Sequence, residues 1–243
     1  MSKDPSNDQL TVIVPVFNEG PCLKHFQSEM DKFLSATPID TTVLFINDGS
    51  TDNSQAMIEK MSAADDRYKF LVLASNSGLS TAIKAGIDAC ESTLIGYIDA
   101  DVQTIPLDFI KFLEFIPEYD MVNGTRVQRN DRLIKKLSSR IANTFRRMMI
   151  KDNIKDTCCP LKIIKTHFAR KIPFYTGMHR FIPALVQLEG GKVKQIPVQH
   201  FPRVAGTAKY HLHNRLIGPF IDTLVFIWIK QRQIKYRISK QSV

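Results

Sequence analysis

Short apolar runs alternate with longer stretches of helical periodicity through the first half of the chain. Leu10 to Val16 (Leu-Thr-Val-Ile-Val-Pro-Val), Thr42 to Ile46, Lys69 to Leu73 and Leu94 to Ile98 are rich in β-forming residues and end in polar clusters. That pattern predicts four strands. Between them, residues 20–36 place Leu23, Phe26, Met30, Phe33 and Leu34 at core spacing. A second helix is expected from about Asp52 to Ala63, with Asp52 or Ser50 as its N-cap. A third ends near Cys90. A fourth, opened by Pro106, covers about 107–116, and strands follow near Asp120 to Asn123 and Lys192 to Val198. Strands alternating with helices of about 10–15 residues predict βαβ units and a mostly parallel sheet.

In such sheets ligands sit beyond the carboxyl ends of the strands. The four early strands end in Asn18-Glu19, Asn47-Asp48, Asn76 and Asp99-Ala-Asp101, so these clusters are expected along one sheet edge. The stretch Ile95-Gly-Tyr-Ile-Asp-Ala-Asp-Val-Gln-Thr-Ile-Pro106 is the most informative. If the chain stays extended past Ile98, Asp99, Asp101 and Gln103 share a face. Two carboxylates and an amide carbonyl are hard donors suited to Mg²⁺ or Mn²⁺ rather than zinc. On the residues alone, an acidic turn capping the next helix is an equal alternative.

Composition narrows the choices. The chain has 243 residues, 44% of them apolar, enough for one large α/β domain with a C-terminal extension. Its domains are expected as a flexible N-terminus over 1–9, a catalytic unit over 10–211 and a basic, apolar helix over 212–243. Cys22, Cys90, Cys158 and Cys159 show no C-x-x-C spacing, which points to a reducing compartment. No G-x-G-x-x-G, G-x-x-x-x-G-K-[ST] or G-x-S-x-G occurs, against a dinucleotide-dependent dehydrogenase, a P-loop NTPase or a nucleophile-elbow hydrolase. The polar start Met-Ser-Lys-Asp-Pro-Ser-Asn-Asp lacks an apolar signal segment. A cytoplasmic location is expected.

The net charge of +9 hides a division. Residues 1–120 carry 8 basic and 19 acidic side chains, a net of −11, whereas residues 121–243 carry 25 and 5, a net of +20. The basic half is built to meet phosphates, a lipid surface or nucleic acid. From Asp131 to Ile150, Leu133, Ile134, Leu137, Ile141, Phe145, Met148 and Met149 follow helical spacing, with Lys135, Lys136, Arg140, Arg146 and Arg147 on the remainder. Such a helix lies on an anionic membrane or packs on the sheet with a solvated basic face. Leu216 to Ile229, broken by Pro219 and Asp222, is too short to cross a bilayer of about 30 Å. With Trp228 and the basic run after it, an interfacial helix, a helix buried on the domain and a dimer contact all remain open.

Taken in order, Val14-Pro-Val-Phe-Asn-Glu19, Asn47-Asp-Gly-Ser50, Asp99-Ala-Asp-Val-Gln103 and Gly124-Thr-Arg126 resemble the family 2 inverting glycosyltransferases. Asp156-Thr-Cys-Cys-Pro-Leu-Lys162, His179-Arg-Phe-Ile-Pro183 and Arg203 through Lys209-Tyr210 resemble the dolichyl-phosphate mannosyltransferase-like branch, which makes polyprenyl-phosphate sugars. The resemblance implies a single nucleotide-sugar-binding, Rossmann-like domain of the glycosyltransferase A type, with C-terminal amphipathic helices. It also implies that Pro15, Phe17, Glu19 and Asp48 cradle the nucleoside, and that Asp99, Asp101 and Gln103 hold the divalent metal. Arg126, Arg203 and Lys209 match cationic positions around donor and acceptor phosphates, and Arg140 a further acceptor contact. His179 and Arg180 match a substrate-binding pair; by pattern alone they start a helix. Asn47 stands where an acid is usual, Cys158 where glycine is usual and Ala208 where serine is usual.

A phosphomonoester, with a second pKa of about 6, is already an anionic nucleophile at neutral pH. The expected reaction therefore needs alignment more than a base. If a base acts, Asp156 is the candidate; a turn-forming or arginine-orienting role is its alternative. The expected partners are a nucleotide-sugar, a polyprenyl phosphate, the inner membrane surface and a second copy of the chain. Two other functions stay open: transfer to a sugar or protein hydroxyl, and non-catalytic nucleic-acid binding. The second lacks an interleaved aromatic platform.

Overall fold

The computed structural model describes residues 8–127, 148–150, 152–202 and 217–234, together with Arg146 and Lys240. Seven strands form one sheet: β1 (Gln9–Val16), β2 (Asp40–Asn47), β3 (Tyr68–Val72), β4 (Leu94–Tyr97), β5 (Met121–Val127), β6 (Lys162–Lys165) and β7 (Val193–Gln199). Their order is β3-β2-β1-β4-β6-β5-β7. All neighbours run parallel except β6, which is antiparallel to both β4 and β5. The alternation of strand and helix thus gives the expected parallel left half. The short β6, inserted between β4 and β5, was not among the expected strands.

Both faces of the sheet are covered, which is why β1 reads as a nearly continuous apolar run. Along β1, Val12 and Val14 point to one face and Ile13 to the other. The first face packs under α1 (Gly20–Ala36), α2 (Ser54–Ala64) and α4 (Phe109–Leu113). There Phe26 meets Phe45 edge-on with centroids 5.9 Å apart, and Phe33 tilts against Phe109 at 5.4 Å. Each such buried ring stabilises the domain by about 1.5–3 kcal/mol. The second face packs under α3 (Leu79–Ala89), α5 (Thr166–Lys171), α6 (Ile182–Leu188) and α7 (Ile217–Arg232).

The β1–β4 pairing stops at Ile13–Tyr97, two residues short of Pro15, which has no N–H to extend it. The strand ends therefore separate where the polar clusters begin. Several local expectations change. The fourth helix is a 3₁₀ turn, Pro106–Asp108, followed by a single α-turn to Leu113. Asn53, not Asp52 or Ser50, occupies the N-cap of α2 and makes no side-chain cap bond. Asp52 instead accepts from Ser54 N (2.9 Å) and Gly20 N (3.0 Å), tying the starts of α1 and α2 together. Gln9 belongs to β1 rather than to a flexible end, and residues 1–7 lie outside those described.

Of the basic helix expected over 131–150, only Arg146 and Met148–Ile150 are described, and they are helical. Arg146 is buried, pairing with Asp152 and donating to Ile154 O at 2.6 Å, rather than lying on a solvated face. Met148 and Met149, placed by spacing on the apolar side, are exposed.

Candidate active site

At the ends of β1–β3 short polar side chains grip neighbouring backbone. Asn18 adopts a left-handed conformation (φ 53°), and its Oδ1 accepts from Thr51 N (2.7 Å) and Asp52 N (3.3 Å). Asp48 is buried. Its Oδ1 accepts from Ser77 N (2.7 Å), and its Oδ2 from Gly78 N (2.9 Å) and Asn76 Nδ2 (3.1 Å). Gly49, at φ 69°, lies so close to Ser75 and Asn76 that a Cβ would strike their backbone. Asp48 thus fastens the loop that opens α3. Asn47, in the usually acidic position, accepts from Ser50 N (2.9 Å) and donates to Gln55 Oε1 (2.7 Å). A carboxylate there has no proton to donate at neutral pH. Pro15, Phe17 and Glu19 stay partly exposed beside this lattice.

The acidic stretch does not continue as a strand. β4 ends at Tyr97, the chain turns at Ala100–Asp101, and Val102 is left-handed (φ 56°). Asp99, Asp101 and Gln103 are therefore grouped by a turn, not by the two-residue period of an extended chain. Asp101 is buried and accepts from Gln103 N at 3.2 Å. Asp99 Oδ1 accepts a hydrogen bond from the Tyr97 hydroxyl at 2.7 Å. Burial, with the charge of Asp101 beside it, pushes the Asp99 carboxyl up to about 6, against the pull of Tyr97, Lys162 and Arg126. Gln103 Nε2 donates to Phe201 O (3.4 Å), and Phe201 N donates to Gln103 O (2.9 Å). Two crowded carboxylates, one buried and one partly buried, with an amide nearby fit a hard divalent cation. Among the described residues no set of three or more His, Cys, Asp or Glu side chains is arranged for a metal.

Across from this turn, Arg126 at the end of β5 grips Asp156 with two parallel bonds: Nε to Oδ2 at 2.7 Å and Nη2 to Oδ1 at 2.9 Å. Arg126 N adds a third to Oδ2 at 3.2 Å. Burial raises the Asp156 carboxyl, but the guanidinium outweighs it and holds Asp156 below the usual carboxylate range. With both oxygens engaged, Asp156 is arranged to orient Arg126 rather than to take a proton. Cys158 is exposed and is not among the residues with left-handed backbone, so this turn does not require the glycine usual there.

Residue pattern alone gives Lys162 no role. It is 3% exposed and donates to Thr157 O (3.2 Å) and Cys159 O, below the same turn. The sequence signal was a lysine interrupting the apolar run Leu161-Lys-Ile-Ile164. Buried lysines are rare unless paired.

His179 and Arg180 sit in a 3₁₀ turn, Met178–Phe181, that leads into α6. His179 Nδ1 lies 2.7 Å from Ser80 Oγ, which also accepts from Gly177 N at 3.0 Å. Burial, then the charges of Arg180 and Lys162, push the imidazole down to about 3, leaving it neutral. Arg180 has a different partner: its Nη1 bonds Asp222 Oδ2 of α7 at 2.7 Å. It docks the C-terminal helix. Arg140, Arg203 and Lys209 lie outside the described residues. The strand-end clusters, Asp99–Gln103 and Arg126–Asp156 thus share one edge, while Arg180 is engaged by Asp222.

The profile of the glycosyl transferase family 2 matches residues 11–172. The chain is 28% identical over 236 residues to dodecaprenyl-phosphate galacturonate synthase of Rhizobium johnstonii, covering 92% of this chain and 69% of the relative. It is 29% identical over 220 residues to undecaprenyl-phosphate 4-deoxy-4-formamido-L-arabinose transferase of Klebsiella pneumoniae, covering 90% and 67%. Its fold is that of glucosyl-3-phosphoglycerate synthase from Mycobacterium tuberculosis, solved with Mn²⁺ and UDP-glucose: TM-score 0.68 at 14% identity, over 90% of this chain and 79% of the other. The architecture is the glycosyltransferase A type expected from the motifs.

Proposed function

The chain belongs to the glycosyl transferase family 2 and is a glycosyltransferase, and from that premise we propose a polyprenyl-phosphate sugar synthase. In this reading a hexose passes from a UDP- or GDP-sugar to a polyprenyl phosphate, undecaprenyl or dolichyl, with inversion. The observation that carries it is the crowded Asp99–Asp101 pair, Asp101 buried and Asp99 partly so, on the same sheet edge as the fixed Arg126–Asp156 fork. Asp99, Asp101 and Gln103 would hold Mg²⁺ or Mn²⁺, which when bound offsets charge on the donor diphosphate.

The remaining roles follow from chemistry. Pro15, Phe17 and Glu19 bind the nucleoside, with Asp48 acting through the loop it fastens. Arg126, kept rigid by Asp156, stabilises anionic phosphate oxygens. An acceptor phosphate oxygen bonds to the anomeric carbon as the carbon–oxygen bond to the nucleoside diphosphate breaks. Attack from the opposite side inverts the centre and needs neither a protein nucleophile nor a base. Arg140, Arg203 and Lys209 are assigned to the phosphates and His179 to the substrate side of the cleft.

For the surroundings we infer peripheral attachment to the inner membrane face. No helix among the described residues is long and apolar enough to cross a membrane. α7 buries Thr223 and Phe226 but exposes Phe220, Ile221, Leu224, Val225 and Trp228, with Lys230 and Arg232 following. That composition suits an anionic lipid interface; self-association through the same face is the second outcome. The catalytic unit would then run over 10–211, with 212–243 as its attachment segment.

The test is incubation of the protein with UDP- and GDP-sugars and undecaprenyl phosphate, with Mn²⁺ or with EDTA. A polyprenyl-phosphate sugar should form only with the metal, and Asp101→Ala should remove turnover by ~100-fold or more. Equal product in EDTA, or a fully active Asp101→Ala protein, would sink the metal's role. Transfer to a sugar or protein hydroxyl alone would replace the acceptor.

A further inference from the structure

The antiparallel strand β6 places three side chains in one cross-strand row beneath the candidate site. Lys162 pairs with Tyr97 of β4 on one side and with Asn123 of β5 on the other. All three are buried. Each reaches toward the strand-end edge with a polar group. Tyr97 donates its hydroxyl to Asp99 (2.7 Å), Lys162 donates to the carbonyls of Thr157 and Cys159, and Asn123 Nδ2 donates to Asp156 O (2.9 Å). The Lys162 ammonium also lies 5.9 Å from the Tyr97 ring centroid. The row therefore joins the acidic turn to the turn that carries Asp156, and through Asp156 to Arg126.

We propose that Lys162 is a positioning residue for sugar transfer: from the row Tyr97–Lys162–Asn123 it fixes the Asp156–Cys159 turn, and so the Arg126 guanidinium, against the Asp99–Asp101 pair. The cost of burying an ammonium explains why an apolar strand would otherwise exclude it. Its two carbonyl acceptors lie in a loop, where backbone has no strand partner to hold it. A cation bonded to both sets that loop's height above the sheet. Asn123 repeats the hold one strand over, on the carbonyl of Asp156 itself.

This inference rests on the proposed transferase reading, so its test is scored on release of nucleoside diphosphate, whether the sugar goes to a polyprenyl phosphate or to water. A wrong acceptor then sinks that reading and leaves the Lys162 comparison intact. Lys162→Met and Lys162→Gln are compared with wild type for kcat, donor KM, thermal unfolding and Mn²⁺ affinity, the last by electron paramagnetic resonance without substrate. Met fills the space without a buried charge, which is commonly neutral for folding. Misplacing Arg126 by about an ångström should lower kcat by ~30-fold or more while donor KM and Mn²⁺ affinity change by less than ~3-fold. If both variants unfold, Asn123→Ser removes the neighbouring hold and should show the same split. A variant that folds with kcat within threefold of wild type overturns the proposal, as does a loss shared equally by KM and Mn²⁺ affinity.

Discussion

The two halves of the sheet edge hold their polar groups by different means. At the ends of β1–β3, Asn18, Asn47, Asp48 and Asp52 bond mostly to backbone amides of adjacent loops. At the ends of β4–β6, long cations pair with a carboxylate or with carbonyls: Arg126 with Asp156, and Lys162 with Thr157 and Cys159. Short side chains on backbone tie the loops directly to one another. Cations held by fixed partners are preorganised donors that need no rearrangement during reaction. The difference suits the proposed reaction, in which one side would grip the nucleoside while the other meets the phosphates.

Breaking the cationic side should have the larger effect. Arg126→Ala leaves Asp156 buried without its counter-charge, so both stability and turnover should fall. Arg126→Lys keeps charge but loses the fork, and kcat should drop by ~10²–10³-fold, measured at saturating donor. Asp156→Asn should follow in the same direction. If it instead abolished turnover while Arg126→Lys had little effect, Asp156 would be acting as a base and the orienting role would fall.

The acidic pair should give an intermediate effect with a defined pH signature. Asp99 has a raised carboxyl, so its contribution to apo-protein stability is present below about pH 4 and is lost as pH rises through about 6. A divalent ion needs the ionised form, so Mn²⁺ affinity should weaken by up to ~tenfold per unit as pH falls below about 6. Isothermal titration between pH 5 and 7 reads this directly, with Asp99→Asn as the flat control. His179 runs the other way. Its depressed imidazole stabilises the fold above about pH 6.5, and that contribution is lost progressively as pH falls toward 3. An Mn²⁺ affinity unchanged across that range would remove Asp99 from the binding set.

The smallest effect is expected at the C-terminal helix. Asp222→Ala frees Arg180 from α7 and should lower the melting temperature by a few degrees, as for loss of about 1 kcal/mol in a domain of this size. Trp228→Ala should leave melting unchanged but weaken co-sedimentation with anionic vesicles. Vesicle binding that is unaffected, with a changed sedimentation coefficient instead, would assign this face to a second copy of the chain.

Most of the left half of the fold was legible because both faces of β1, β2 and β4 are buried, so they read as apolar runs with polar ends; the edge strand β3 shows the same kind of run although Phe70 and Val72 are exposed. β6 was hidden for a physical reason. It has four residues, one of them Lys162, and its partners β4 and β5 are remote in sequence, so no local period marks it. The same reason hid Lys162 itself. Asp99 and Asp101 were legible as chemistry but not as geometry, since residue spacing suggested an extended face and the chain makes a turn at Ala100–Asp101.

Residue order alone determined the alternation of strand and helix, the donor atoms at the strand ends and the charge division between the halves, because each depends on nearest neighbours or simple composition. Tertiary structure decided which cation met which carboxylate. Arg126 found Asp156 and Arg180 found Asp222 across 30 and 42 residues, and such pairings depend on how the sheet orders its strands, which no local pattern encodes.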